Sequence, residues 1–344
     1  MQRIERIEWL LEKAIRYTTL YPDERIRVDV IINPCAGSLS SEARCDSVIE
    51  RLEHFTDGLV GEPRSDETLS VVFHQTHYVG HAREISRALK RLPSDDRHIV
   101  VSVGGDGTHG EVLSGFRGQE RTRYVRLPFG TGNDGAETRD LGKAIGILLG
   151  NAVESVDGSI EVQPVGMSRI LGFNIASIGL DAYVAYLTNR LKGKLGGDLY
   201  KVIADVMTLF YERIVGAGPM QVTLTTADGS TSQHDGRFLI CAVGASGHRE
   251  YGGGKLVLPA DENVCLIDRC GLLGKIRLKS LFYRGEHTSE SNVSMGIARD
   301  VEVHYQGRIP LQVDGETVWL RSENFPLRFS VSEPTLPVLK PRRP

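Results

Sequence analysis

Several absences narrow what this 344-residue chain can be. Its five cysteines, at 35, 45, 241, 265 and 270, form no CxxC pair and no zinc-ligand spacing, so free thiols in a reducing cytoplasm are expected. A net charge of −3 supplies no basic field for nucleic acid. No apolar run reaches the roughly 18–20 residues that a spanning helix needs. The opening MQRIERIEWLLEKAIRYTTLYPDERIRV is charged throughout, unlike a signal peptide. A Walker-A pattern is missing, which argues against an ordinary P-loop NTPase. There is no internal repeat and no low-complexity block. The expectation is a soluble cytoplasmic protein, free to meet a membrane peripherally.

What is present begins with an amphipathic helix. Ile4, Ile7, Leu10, Leu11 and Ile15 fall on one stripe, which favours docking onto the body of the protein over a membrane anchor. From Val28 to about Leu149, short β-branched runs alternate with helical periods: RVDVII, SEARCDSVIERLEHF, LSVVFHQ, GHAREISRALKRL, RHIVVSV and RYVRL. That alternation predicts a parallel sheet with helices on both faces. After about residue 160 the runs become strand-like and turn-punctuated, predicting a mostly antiparallel second domain. Two helices interrupt it, GDLYKVIADVMTLFYERI and LLGKIRLKSLFYR. The proline-rich tail SEPTLPVLKPRRP reads as extended, or pinned along the surface, rather than helical.

Three loops carry the chemistry. INPCAG (32–37), VGGDGTHGEV (103–112) and PFGTGND (128–134) each end a predicted strand and combine glycine with small polar groups or an acid. Glycine lets backbone N–H groups converge on a ligand, and clustered N–H groups at a helix start bind phosphate. Asp106 would repel a phosphate unless a divalent cation lay between them, and Mg²⁺ is the usual bridge. A plain strand-to-helix turn with Asp106 as a cap explains one such loop, but not three. GDGTHG (105–110) also fits the dinucleotide pattern G-x-G-x-x-G, yet it follows the third strand and lacks the ribose-binding acid.

Together with FNIASIGLDAYVA and LQVDGE, these motifs in this order resemble the diacylglycerol kinase catalytic family, which includes sphingosine kinases and bacterial lipid kinases. The resemblance runs from about residue 28 to about 330. It implies an α/β plus β-rich architecture: an N-terminal α/β parallel-sheet nucleotide domain and a mostly antiparallel β second domain, with the active site in the interdomain cleft. The corresponding divisions are a helical extension (1–25), a nucleotide domain (26–150, with 331–344 free to pack back on it) and an acceptor domain (151–330).

The resemblance further implies ATP with Mg²⁺, and a lipid hydroxyl acceptor met at a membrane surface. It assigns nucleotide contacts to Asn33, Pro34, Gly37 and Ser38 in the first loop and to Thr76 after the second strand. Gly104, Gly105, Gly107, Thr108 and Glu111 contribute from the second loop. Gly130, Thr131, Gly132, Asn133 and Asp134 contribute from the third. Asp106 and Asp134 would hold the metal. Glu316 resembles the general base of the bacterial relatives, whereas in sphingosine kinases the acid matching Asp106 is given that part. A homodimer is left open. So are two other readings: a GGDGT kinase with a soluble acceptor, similar to NAD kinases, and a low-activity relative that binds nucleotide or lipid.

The chain departs from the family pattern at four places. No basic residue follows the first loop until Arg44, Gly110 replaces the usual Asn, and Gly135 replaces a bulky apolar residue. Val264 and Cys265 stand where relatives hold a structural metal in the second domain. Smaller signals are His74, His77 and His81, too weakly patterned for zinc, a basic stretch with Lys192, Lys194 and Lys201, and the glycine cluster HREYGGGKLVLP, read as a loop near the cleft.

Overall fold

The computed structural model describes residues 3–91, 96–116, 121–191, 206, 210–216 and 218–342. Two compact units divide the chain: Met1–Asp157 with Thr335–Pro344, and Gly158–Pro334.

The first unit is built on β1 (Ile26–Ile32), β2 (Leu69–Gln75), β3 (Arg97–Gly104), β4 (Thr122–Pro128) and β5 (Ala152–Asp157), together with the last strand of the chain, β20 (Leu336–Pro341). Their order is β2-β1-β3-β4-β20-β5, parallel from β2 through β20, with β5 antiparallel to β20. Four helices connect strands, α2 (Glu42–Asp57), α3 (His81–Leu89), α4 (Asp106–Phe116) and α5 (Leu141–Leu149), and α1 (Arg3–Arg16) precedes β1.

Alternate strand residues face opposite sides. Val28, Val30 and Ile32 of β1 and Val101 and Val103 of β3 therefore share one core with Ile7, Leu10 and Ile15 of α1, Val48 and Leu52 of α2, and Ile145 and Leu148 of α5. The N-terminal stripe is thus buried against the sheet domain. The opposite face packs against α4, whose Phe116 ring meets Tyr124 and His98 edge-on at 5.4 and 5.7 Å. It is the more polar face. Asp29 lies there fully buried on β1, accepting from His74 of β2 and His98 of β3 at 2.8 Å each, and from Arg27 at 2.7 Å.

The chain leaves β1 toward β2 on one side and reaches β3 on the other. The carboxyl ends of β1 and β3 are accordingly the switch point where open α/β sheets bind ligands. One expectation is corrected. The tail is extended, as one of the two alternatives had it, and the other, a segment pinned along the surface, gives way: the tail enters the sheet between β4 and β5 and buries Leu336, Val338 and Leu339.

The second unit contains two six-stranded antiparallel sheets. One comprises β6 (Ile160–Gln163), β7 (Ile170–Gly172), β9 (Met220–Thr225), β10 (Thr231–Gly236), β16 (Asp300–Tyr305) and β19 (Leu327–Val331). The other comprises β8 (Ile175–Gly179), β11 (Phe238–Gly244), β14 (Val264–Asp268), β15 (Val293–Gly296), β17 (Ile309–Val313) and β18 (Glu316–Leu320). Val222, Val303 and Phe329 of the first meet Ile178, Val243 and Leu311 of the second in a shared core.

The far face of the second sheet is covered by α6 (Leu180–Leu191), α7 (Tyr211–Ile214) and α8 (Leu272–Phe282), which explains why β11 is buried on both faces. The glycine cluster at 252–254 is the tip of a hairpin between β12 (Arg249–Tyr251) and β13 (Lys255–Leu258), all three glycines having positive φ. Val264 and Cys265 are buried strand residues of β14. Lys192, Lys194 and Lys201, and most of the expected helix over 197–214, lie outside the described residues.

Candidate active site

Four strand ends of the first unit are stitched together by backbone hydrogen bonds. Asn33 N–H donates to Val103 O at 2.9 Å, Thr76 N–H to Ile32 O at 2.9 Å, Ser38 N–H to Phe129 O at 2.8 Å, and Phe129 N–H to Gly104 O at 2.8 Å. Side chains add to this, since Asn33 Nδ2 donates to Thr108 Oγ1 at 2.9 Å. The three glycine loops and Thr76 therefore form one cluster at the carboxyl edge of the sheet.

The glycines are there because the backbones touch. A Cβ on Gly130 would lie 2.4 Å from Gly105 Cα, and one on Gly37 would lie 2.5 Å from Thr131 Cγ2. A Cβ on Gly104 would strike Thr108 at 2.6 Å. Asn133 closes the third loop in a left-handed conformation, φ 57°, which Asn tolerates. Its Oδ1 accepts from Gly130 N–H at 2.7 Å. Pro34 lies in the first loop, partly exposed.

Asp106 is the first residue of α4, and Gly107 beside it is exposed. The unpaired N–H groups of a first helical turn suit an anion. Asp106 Oδ1 accepts from Gly135 N–H at 2.8 Å, and an ideal Cβ on Gly132 would sit 3.1 Å from Asp106 Oδ2 and 3.7 Å from Asp134 Oδ2. Two carboxylates thus flank one glycine. Burial pushes the Asp106 carboxyl up, the Gly135 N–H works against that, and the Asp134 charge raises it further. Two hard oxygen ligands side by side are a donor set suited to Mg²⁺, which takes one or two carboxylates beside phosphate and water. No group of three or more His, Cys, Asp or Glu side chains among the described residues could form a cage by itself.

Other residues were less legible. Glu111 Oε1 accepts from Gly80 N–H at 2.7 Å, so its carboxylate ties α4 to the start of α3. Arg44, from the first turns of α2, reaches back to Gly37 O at 2.9 Å and supplies a cation at the first loop. Arg139 pairs with Asp134. Beneath the third loop the buried Arg126 joins Glu137 and Asp157, and Lys340 of the tail donates to Asp157 at 2.8 Å. His109 is buried with Nδ1 2.7 Å from Ser102 Oγ, and burial drives its pKa down to about 3. It is a neutral packing group.

Glu316 belongs to the second unit. It opens β18 opposite Val313 and is exposed. The intervening Asp314 and Gly315 both have positive φ, 49° and 89°, the conformation of a two-residue type I′ hairpin. The Asp314 carboxylate accepts from the N–H groups of Phe173, Asn174 and Ile175 at 2.6, 3.0 and 3.1 Å. Asn189 Nδ2 of α6 donates to Gly315 O at 2.8 Å. Asp314 therefore fixes the hairpin, and Glu316 is the acid it presents to solvent. Behind it, Gln312 donates to Ser177 Oγ at 2.8 Å, and Ser177 bonds to Asp181, whose pKa burial raises to about 6.

Residues 27–164 match the family model described as diacylglycerol kinase catalytic domain, and residues 174–340 match the YegS C-terminal NAD kinase beta sandwich-like domain. Residues 27–164 are thus a diacylglycerol kinase catalytic domain. The family contains curated relatives of similar length. A diacylglycerol kinase of Bacillus subtilis (strain 168) is 23% identical over 303 residues, 84% of this chain and 89% of that one. A diacylglycerol kinase of Staphylococcus haemolyticus (strain JCSC1435) is 25% identical over 302 residues, 83% of this chain and 81% of that one. A solved diacylglycerol kinase structure from Bacillus anthracis str. Sterne superposes with a TM-score of 0.55 at 14% identity, covering 91% of this chain and 96% of that chain. The family's α/β plus antiparallel β architecture is thus the architecture seen here. No described helix is long and apolar enough to cross a membrane.

Proposed function

We propose that this member of a kinase family transfers the γ-phosphate of ATP to the hydroxyl of a lipid acceptor of diacylglycerol or sphingosine type. The observation that carries the reading is the glycine cluster at the switch point, with Asp106 and Asp134 on either side of Gly132 at the mouth of α4. Asn33, Gly37, Ser38 and Thr76, the Gly104–Thr108 turn and the Gly130–Asn133 loop would take the nucleotide. Mg²⁺, held by Asp106 and Asp134, would spread the phosphate charge.

In the reaction the acceptor oxygen forms a new P–O bond. The bond between the γ-phosphorus and the β–γ bridging oxygen breaks, its electron pair leaving on ADP, and the hydroxyl proton passes to Glu316 as base. Phosphoryl transfer asks little covalent chemistry of the protein beyond alignment and charge stabilisation. The departures at Gly37–Arg44, Gly110 and Gly135 leave these acids in place.

The test is radiolabelled ATP with Mg²⁺ and purified protein against a panel of lipid acceptors. Label in the organic phase that is lost in Asp106→Ala and Glu316→Ala supports the reading. Label only on a water-soluble acceptor, or ATP binding without turnover, overturns it.

A further inference from the structure

Surface helices ordinarily turn one apolar face inward and a polar face outward. The helix α8 does not. Leu278, Leu281 and Phe282 face the core on one side. On the other side Leu272, Leu273, Ile276 and Tyr283 are exposed, each more than half and Leu273 by 81%. At about 100° per residue, Leu272, Tyr283, Ile276 and Leu273 fall within an arc of about 100°, with Lys279 on one flank and Arg277 on the other. An apolar stripe with cations along its margins is the pattern of a helix lying in a membrane interface.

Charge decides the occupant. Residues 269–285 hold five cations and no acid, in a chain whose net charge is −3; Lys275 is buried against Glu212, and Arg269, Arg277, Lys279 and Arg284 are exposed. Arg277 and Arg284 are paired with Glu290 and Glu286 at 2.7 and 2.8 Å, but both guanidiniums stay more than half exposed and can exchange these carboxylates for phosphate oxygens. The neighbouring α7 is tied to α8 by Glu212, which meets Arg269 at 3.1 Å and Lys275 at 3.7 Å, and it leaves Ile214 half-exposed. A second copy of the chain would bring cations against cations here.

We propose that the outer face of α8 docks on an anionic phospholipid surface, inserting Leu272, Leu273 and Ile276 among the acyl chains. The proposal deepens the lipid-kinase reading, since it names the surface at which a lipid acceptor is met.

The full chain, without ATP, is sedimented with phosphatidylcholine vesicles and with vesicles doped with phosphatidylglycerol. Binding is expected only to the doped vesicles, and about tenfold or more weaker in the doubly substituted Leu273→Glu, Ile276→Glu protein. Amide exchange of the wild-type chain on these vesicles supplies a second reading that needs no variant, with slowing expected across 272–283. Unchanged vesicle binding by the double variant, or slowing confined to other segments, overturns the proposal. So does a wild-type dimer that the substitutions dissociate while vesicle binding persists. Transfer to a dispersed short-chain acceptor is assayed separately. Loss of vesicle binding in the variant without any transfer by the wild type sinks the kinase reading and leaves the docking face standing.

Discussion

Gly135 N–H donates to Asp106 Oδ1 at 2.8 Å, so the residue after the third loop's acid, Asp134, holds the carboxylate that opens α4. A Cβ at 135 would sit 3.3 Å from the same oxygen, tighter than an ordinary contact, so glycine suits the position. Burial raises the Asp106 carboxyl pKa, so the native state holds this proton more tightly than the unfolded chain. The resulting stability is fully present below the unfolded value, about 3.9, and is lost as pH rises through the native value. At neutral pH the charged group is therefore a burden on the empty protein. Asp106→Asn keeps an acceptor for Gly135 but removes the charge. It should raise the melting temperature of the unliganded protein at neutral pH while lowering transfer by about 10²-fold or more. Calorimetry and the lipid phosphorylation assay check the two arms.

The glycines of the second and third loops should tolerate substitution very unequally. Gly130→Ala forces a Cβ to 2.4 Å from Gly105 Cα, where neither backbone can yield without opening the cluster. ATP affinity should fall at least about tenfold, and stability by about 1–3 kcal/mol. Gly110, inside α4, has nothing within 4 Å of an added Cβ. Gly110→Ala should preserve ATP binding and gain about 0.5–1 kcal/mol through helix propensity. Titration calorimetry and chemical denaturation separate them.

The strand–helix alternation and the glycine loops were readable because period and loop chemistry are local properties of sequence. The tail was not, because prolines at 337 and 341 argue against an interior strand. The structure accommodates them by thin pairing: only Val338 pairs with β4, while β5 pairs along the whole of β20. Arg44 and Arg139 escaped notice as site residues because nothing periodic says that a side chain turns back toward a preceding loop. The Asp29 cluster joins residues 45 and 69 positions apart on neighbouring strands, and only the sheet order brings them together. LLGKIRLKSLFYR was legible as a helix, but its apolar residues do not reveal that half of them stay outside.

The two acids of the late DGE motif should separate cleanly. Asp314 accepts three backbone N–H groups and makes the hairpin, so Asp314→Ala leaves three donors unsatisfied. A loss of about 2–3 kcal/mol is expected, with activity falling as a consequence. Glu316 is exposed and makes no such bonds. Glu316→Gln should melt like the wild type yet lose about 10²–10⁴-fold in transfer, the range for removing a general base. Equal stability with equal activity would remove Glu316 from the base role.

Asp29 offers the sharpest acid-stability prediction. Burial opposes its ionisation, but hydrogen bonds from His74, His98 and Arg27 outweigh that and hold its pKa well below the usual carboxylate range. For a depressed carboxyl, the stabilisation is present above the unfolded value near 3.9 and is lost as pH falls through the native one. Asp29→Asn leaves the partly buried Arg27 guanidinium without its counter-charge and takes from the His74 and His98 rings the carboxylate they bond to, at a cost of about 2–3 kcal/mol at neutral pH. Measured by urea unfolding from neutral pH down past the unfolded value, wild-type stability should decline in acid and the gap to Asp29→Asn should narrow. A gap that stays constant across that range would mean that the carboxylate's charge is not what holds β1, β2 and β3 together on this face.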